Sequence, residues 1–160
     1  MTPENDNAPA PDVFIDPPSD SLKKKAPPIA RSLEQALKKT QEVVALAGKG
    51  YPQRLARDLA RMRELSAQFS ESPSVETMEE LRFLAHDMKG QGGQFGYGLV
   101  TEICDYLQKY LKDADTPSMR TAEIVTVHVN ALILVESRKM MGDGGKAGDV
   151  LIDSLAKLVK

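Results

Sequence analysis

The sequence lacks the features that mark secreted, membrane-spanning and nucleic-acid-binding proteins. A single cysteine, Cys104, excludes an internal disulfide framework and fits a reducing compartment. The longest apolar run, residues 131–135, is far too short to cross a bilayer. The acidic, proline-rich N-terminus has no apolar segment of a signal peptide. With a net charge of −2, nothing in the overall balance favours nucleic acid or an anionic membrane surface. We therefore expect a soluble cytoplasmic protein.

The composition predicts one globular domain preceded by a tail. The 160 residues are 41% apolar and 28% charged, which is typical of a soluble domain. Residues 1–30 hold seven of the ten prolines, with polar residues between them. Such a segment cannot bury enough apolar surface to offset the entropy lost on ordering. We predict a disordered tail over residues 1–30 and a helical domain over residues 31–160.

Helix signals follow one another after the tail. Ser32 to Gln35 has the form of a capping box, Gly48 and Gly50 predict the end of that helix, and Pro52 predicts the start of the next. Apolar residues at helical spacing then predict helices over residues 32–47, 52–70, 73–95, 99–112, 119–141 and 149–159. Because the connections are short, we predict an all-α fold, an antiparallel four-helix bundle with one additional helix at each end. The bundle core is expected at about residues 52–141.

One stretch of the chain gives a conflicting signal. Residues 124–135 are rich in β-branched side chains and partly alternate, which locally favours a strand. No second candidate strand exists to pair with it, and an isolated strand is not stable. We therefore predict a helix that is buried over a wide face.

The most informative segment runs from His86 to Gly96. It contains three glycines within a predicted helix, at positions 90, 92 and 93. Glycine costs roughly 1 kcal/mol relative to alanine inside a helix, so the three together sacrifice about 3 kcal/mol unless the bare backbone has a use. The segment thus predicts a surface that something else approaches closely.

Helical geometry places His86 almost opposite the buried side of its helix. At about 100° per residue, the buried stripe consists of Leu81, Leu84, Met88, Gly92 and Phe95, with Met78 and Ala85 at its border. The residues around the histidine are Glu79, Arg82, Phe83, Lys89, Gly90 and Gly93. This position argues against a hydrogen-bonded core histidine, whereas a merely solvated surface histidine stays an alternative.

The chemistry that suits this arrangement is phosphoryl transfer. An exposed imidazole is partly unprotonated at neutral pH, so His86 could attack an acyl phosphate and hold the phosphoryl group as a phosphoramidate. Lys89, nearly one turn further on, could direct its ammonium at the phosphoryl oxygens. Gly90 and Gly93 remove bulk beside the ring, so that an aspartate of a donor protein could approach it. Phe83 either contacts the docking protein or packs on the N-terminal helix.

The run His86-x-x-Lys89-Gly90, with Gly93 and Gly96, resembles the histidine-containing phosphotransfer (HPt) domain of phosphorelays. The resemblance covers roughly residues 52–141. It implies a four-helix bundle that carries a phosphoryl group between receiver-domain aspartates without binding ATP, a phosphocarrier and not an enzyme. By this likeness His86 is phosphorylated, Lys89 stabilises the phosphate, and Gly90 lies beneath the incoming receiver. The expected docking residues are Glu79, Arg82, Phe83, Gly93 and Gln94.

Cofactor and partner expectations follow from the same likeness. Receiver domains of response regulators and of a hybrid histidine kinase are the expected partners, with no nucleic acid and no membrane, and we expect a monomer. A metal site is not expected, since His86, His128 and Cys104 fall on three predicted helices. The Mg²⁺ needed for transfer would belong to the acidic pocket of the receiver.

Two other interpretations stay open. The chain could be a binding-only helical bundle that sequesters a receiver or another signalling protein without being phosphorylated. It could also be a small dimerisation domain that a detached kinase phosphorylates directly, and this would predict a stable homodimer.

Overall fold

The computed structural model describes residues 29–159, and this part of the chain folds into five helices. They are α1 (Ile29–Glu71), α2 (Val75–Gln94), α3 (Gly98–Asp113), α4 (Met119–Ser137) and α5 (Gly145–Leu158). No strand occurs among these residues, so the predicted all-α fold is confirmed. The predicted tail over residues 1–30 lies outside the described residues, except for its last two positions, which belong to α1.

The first helix is longer than predicted. α1 continues through Gly48, Gly50 and Pro52 for 43 residues, so the two helices predicted at 32–47 and 52–70 are one element. A proline inside a helix removes one backbone hydrogen bond and crowds the preceding turn. Burial offsets this penalty here, because Tyr51 and Leu55 beside the proline are each only 1% exposed. The glycines and the proline were therefore wrong indicators of a helix end.

The chain divides into two compact units between residues 44 and 45. In the first unit the described residues are the beginning of α1, which carries exposed Leu33, Leu37 and Val43. The second unit contains residues 45–71 of α1 together with α2 to α5.

Four helices of the second unit enclose one apolar core. Fully buried side chains come from α1, α2, α3 and α4, among them Tyr51, Met62, Phe69, Leu81, Met88, Ile103, Leu107, Val125 and Leu132. α5 packs on α3 and α4 and buries Leu155. The β-branched segment 124–135 is helical as predicted, and it is buried over a wide face. The four-helix core with an added C-terminal helix is thus confirmed.

A serine cap and a tight turn set the bounds of α2, which carries the histidine segment, and the start of α3. The Ser74 side chain accepts a hydrogen bond of 3.1 Å from the Thr77 amide and begins α2. α2 ends at Gln94, and Gly96 with φ +81° reverses the chain so that α3 begins at Gly98. The bounds of α2 and α3 agree with the predicted ones to within two residues.

The end of the bundle differs from the prediction. α4 ends at Ser137 and not at 141, because Lys139 adopts φ +50° and the Met140 amide bonds to the Val135 carbonyl. α5 begins at Gly145, four residues before the predicted 149.

Candidate functional site

His86 lies on the exposed side of α2, as the angular count predicts. On the opposite side Leu81 and Ala85 are 0% exposed and Met88 is 1% exposed. Met78 and Gly92 are buried as well, whereas Leu84 and Phe95 are only partly buried. The imidazole is therefore not a core side chain.

Two side-chain pairs join the histidine edge of α2 to α3. The Gln108 side-chain amide lies 2.9 Å from Nδ1 of His86. One turn further along α2, Lys89 Nζ donates to Asp105 Oδ1 at 2.7 Å. Since the two helices run antiparallel, a step of three residues forward on α2 matches a step of three residues back on α3. The contacts of His86 and Lys89 thus lie about one helical turn apart along the same interface between α2 and α3.

The orientation of the Gln108 amide determines which ring nitrogen of His86 carries the proton. A glutamine amide carries an acceptor oxygen and a donor nitrogen that exchange places by a 180° rotation. With Oε1 turned toward the ring, Nδ1–H donates to it and Nε2 keeps its lone pair. Gln108 can therefore orient the imidazole and leave Nε2 as the nucleophile.

Lys89 takes part in a network of two lysines and one carboxylate. Its ammonium is bound to Asp105, whose second oxygen, Oδ2, lies 2.7 Å from Lys109 Nζ. Hydrogen bonds from Lys109 and Lys89 lower the pKa of the Asp105 carboxyl below its ordinary value. Asp105 is therefore ionised at neutral pH, and in this structure the Lys89 ammonium is turned toward α3.

The three glycines of the segment have different surroundings. A Cβ at Gly92 would lie 2.8 Å from Thr101 Oγ1 and 3.1 Å from the Tyr97 carbonyl oxygen, so the close packing of α2 on α3 requires this glycine. A Cβ at Gly93 would touch the Thr101 side chain at 3.4 Å. A Cβ at Gly90 would meet nothing within 4 Å among the described residues. The bare backbone at position 90 therefore has no explanation in the packing of this part of the chain.

A family model described as the Hpt domain matches residues 22–133, which is more than half of the chain. The chain belongs to the Hpt domain family. Hpt domains are phosphocarrier modules that act in phosphorelays by histidine phosphotransfer and interact with receiver domains of response regulators and hybrid kinases. The predicted family is thus confirmed. No curated protein and no solved structure matches this chain.

The remaining predicted docking residues of this Hpt protein lie on the exposed side of α2. Glu79 and Arg82 form an ion pair with each other, and the hydrogen bond from Arg82 lowers the pKa of the Glu79 carboxyl. Phe83 is 67% exposed and borders a groove that Arg61 of α1 also lines. Much of its ring is therefore open to solvent, and its role as a docking contact stays a prediction. Gln94, the last residue of α2, is exposed.

Sequence reasoning missed the residues that α3 contributes to the site. Thr101, Asp105 and Gln108 follow one another at spacings of four and three, so they form a polar stripe on a helix whose other side is apolar. This stripe was visible in the sequence. Its partner on α2 was not, because the register between two helices depends on the loop that joins them.

The other potential ligand residues lie away from His86. Cys104 and His128 are each 0% exposed in the core, and burial raises the pKa of the Cys104 thiol. In the described range, no three His, Cys, Asp or Glu side chains are grouped so that they could hold a metal ion. Nor does any helix in residues 29–159 combine the length and apolar character of a membrane span. The cytoplasmic location stays a prediction.

Proposed function

We propose that this Hpt protein accepts a phosphoryl group on His86 from the aspartate of one receiver domain and passes it to another receiver. Nε2 of His86 attacks the phosphorus of the aspartyl phosphate. The N–P bond forms as the bond between phosphorus and the acyl oxygen breaks, and the donor aspartate leaves as a carboxylate. Nδ1 keeps its proton throughout. Transfer to the second receiver is the reverse of this step.

The observation that carries the proposal is the exposed imidazole whose Nδ1 is held by Gln108. A nucleophile that is fixed in orientation and open to solvent suits attack on a group presented by another protein. The open space above Gly90 supports the same role, since a receiver could bring its aspartate close to the ring there. We assign phosphate stabilisation to Lys89, which lies about one helical turn from His86 on α2 and bonds to Asp105.

We propose that the receiver docks on the exposed side of α2 on both sides of His86. Phe83 would supply an apolar contact, with the Glu79–Arg82 pair beside it, while Gly93 and Gln94 would border the contact toward the end of the helix. The donor would be the receiver of a hybrid histidine kinase and the acceptor that of a response regulator, with this chain acting as a monomer.

The Mg²⁺ needed for transfer is proposed to belong to the receiver. Magnesium prefers carboxylate and water oxygens. Asp105, the carboxylate of the network beside His86, is already bound by Lys89 and Lys109. The residues of this chain would thus orient the imidazole and balance the charge of the phosphoryl group.

The test is to incubate the full chain with purified, phosphorylated receivers and to map the label by mass spectrometry. We expect acid-labile, base-stable phosphate on His86. His86→Gln should take up no label, while its helicity and melting temperature stay nearly unchanged because the side chain is exposed. Normal labelling of this variant would overturn the proposal.

The same experiment distinguishes the alternatives. A binding-only module would form a complex with a receiver while His86 stays unlabelled. A dimerisation domain would be labelled by a kinase and ATP without a receiver, and light scattering would show a homodimer in place of the proposed monomer.

A further inference from the structure

The Lys89 ammonium has a second anionic partner available once His86 carries a phosphoryl group. At present it is bound to Asp105 at 2.7 Å. His86 lies nearly one turn away on the same helix, about 4.5 Å along its axis. A lysine side chain is long and flexible, so its ammonium can reach either group without a change in the backbone.

Lys109 lowers the free-energy cost of moving Lys89 away from Asp105. It holds Asp105 through Oδ2 at 2.7 Å, independently of the bond between Lys89 and Oδ1. If Lys89 leaves, the carboxylate therefore keeps a cation. The Asp105 side chain is 25% exposed, so water can also reach it. Asp105 thus does not become an unpaired buried charge, the situation that makes breaking an ion pair costly.

We propose that Asp105 competes with the phosphoryl group on His86 for the Lys89 ammonium, and that this competition sets the position of the phosphotransfer equilibrium. Asp105 is then a positioning residue that acts through Lys89. The inference rests on the proposed function, because it needs a phosphorylated His86.

The direction of the effect follows from the charges. Asp105 stabilises the ammonium in the unphosphorylated protein, and this stabilisation is lost when Lys89 turns to the phosphoryl group. Removing the carboxylate charge therefore favours the phosphorylated form. An ion pair that is partly exposed is weak, so the expected change in the equilibrium constant is about two- to fivefold.

The experiment measures the equilibrium constant between a phosphorylated receiver and this protein for the full chain and its variants. Asp105→Asn should raise this constant, in the direction of phosphorylated His86, about two- to fivefold. Lys109→Met should lower it, because Asp105 then depends on Lys89 alone. Asp113→Asn and Lys112→Met make the same changes of charge further along α3 and serve as controls. They should leave the constant unchanged.

A double-mutant cycle separates competition for Lys89 from direct repulsion between Asp105 and the phosphoryl group. In a Lys89→Met background, Asp105→Asn should have no effect if the carboxylate acts through Lys89. An undiminished effect in that background would overturn the proposal. If Lys89→Met takes up no label, Lys109→Met decides the question, since an unchanged or raised phosphorylated fraction contradicts the competition.

Failure of this inference is distinguishable from failure of the proposed function. An unlabelled His86 in the unmodified chain removes the proposed function. Normal labelling together with an unchanged constant for Asp105→Asn removes only the role of Asp105. The melting temperature of each variant, followed by circular dichroism, shows that the compared proteins are folded.

Discussion

The side-chain amide of Gln108 lies 2.9 Å from Nδ1 of His86, so a residue of α3 contacts the ring of a residue of α2. With the amide oxygen turned toward the ring, Nδ1–H donates to it, and Nε2 of the imidazole keeps its lone pair for the phosphoryl group. This hydrogen bond also restricts rotation of the imidazole about its own bonds. A transfer between two proteins gains from this, because the nucleophile is already oriented when the receiver arrives.

Replacing Gln108 with leucine should slow phosphoryl transfer to His86 without unfolding the bundle. Leucine has a similar size but cannot bond to Nδ1, so we expect the initial rate to fall about tenfold through the loss of orientation. Rapid-quench measurement with a phosphorylated receiver gives this rate. Gln53→Leu changes an exposed glutamine of α1 in the same way and is the control. Equal rates for the two variants would show that the bond to Nδ1 has no part in transfer.

Replacing Gly90 with leucine should block the receiver while stabilising the protein. A Cβ added at this position meets no described atom within 4 Å, and leucine is favoured over glycine in a helix by roughly 1 kcal/mol. We therefore expect a higher melting temperature together with a transfer rate lowered by about tenfold or more, since the added side chain prevents the close approach that transfer requires.

Gly50→Leu is the matched control for this variant. Gly50 also lies inside a helix, and a Cβ added there likewise has no neighbour within 4 Å in the described part of the chain, but this glycine belongs to α1. The substitution should raise the melting temperature to a similar extent and leave transfer unchanged. Unaltered transfer kinetics in Gly90→Leu would mean that the open surface at position 90 is not used.

The histidine side of α2 could be predicted because it depends on local geometry alone. The 3.6-residue period places His86 on the opposite side of α2 from Leu81 and Met88, whatever the helix packs against. The α3 side of the site could not be predicted in the same way. Asp105 and Gln108 meet α2 only in the register that the turn at Gly96 imposes, and this register is a tertiary property.

The continuity of α1 could not be predicted from local helix preferences. Gly48, Gly50 and Pro52 all disfavour a helix, and their local preferences predict a break. The structure keeps the helix because Tyr51, between them, is buried with its ring centroid 4.8 Å from that of Phe95 and 5.0 Å from that of Tyr97. Contacts with residues far away in the sequence therefore outweigh local propensity.

Adding a methyl group at Gly92 should destabilise the bundle, in contrast to the effect at Gly90. The new Cβ would overlap Thr101 Oγ1 at 2.8 Å and crowd the Tyr97 carbonyl at 3.1 Å, and the latter atom cannot rotate away. We expect Gly92→Ala to lower the free energy of unfolding by about 1–3 kcal/mol, as overpacking does in other cores. Urea denaturation measures this value. Gly90→Ala is the control and should raise the free energy of unfolding by up to about 1 kcal/mol.

His128 should make the protein less stable as the pH falls below neutral. The side chain is 0% exposed, and its Nδ1 lies 2.8 Å from the Ile124 carbonyl oxygen. Burial lowers the pKa of His128 below 6.5, although the bond to Ile124 opposes the shift. Below pH 6.5 the unfolded chain therefore takes up a proton that the folded protein does not, and unfolding becomes easier with a slope of up to about 1.4 kcal/mol per pH unit.

Urea denaturation between about pH 5.5 and 7.5 measures this slope. His128→Leu should reduce it, whereas His86→Gln, which changes the other histidine of the chain, should retain it. Equal slopes in the two variants would contradict the assignment to His128.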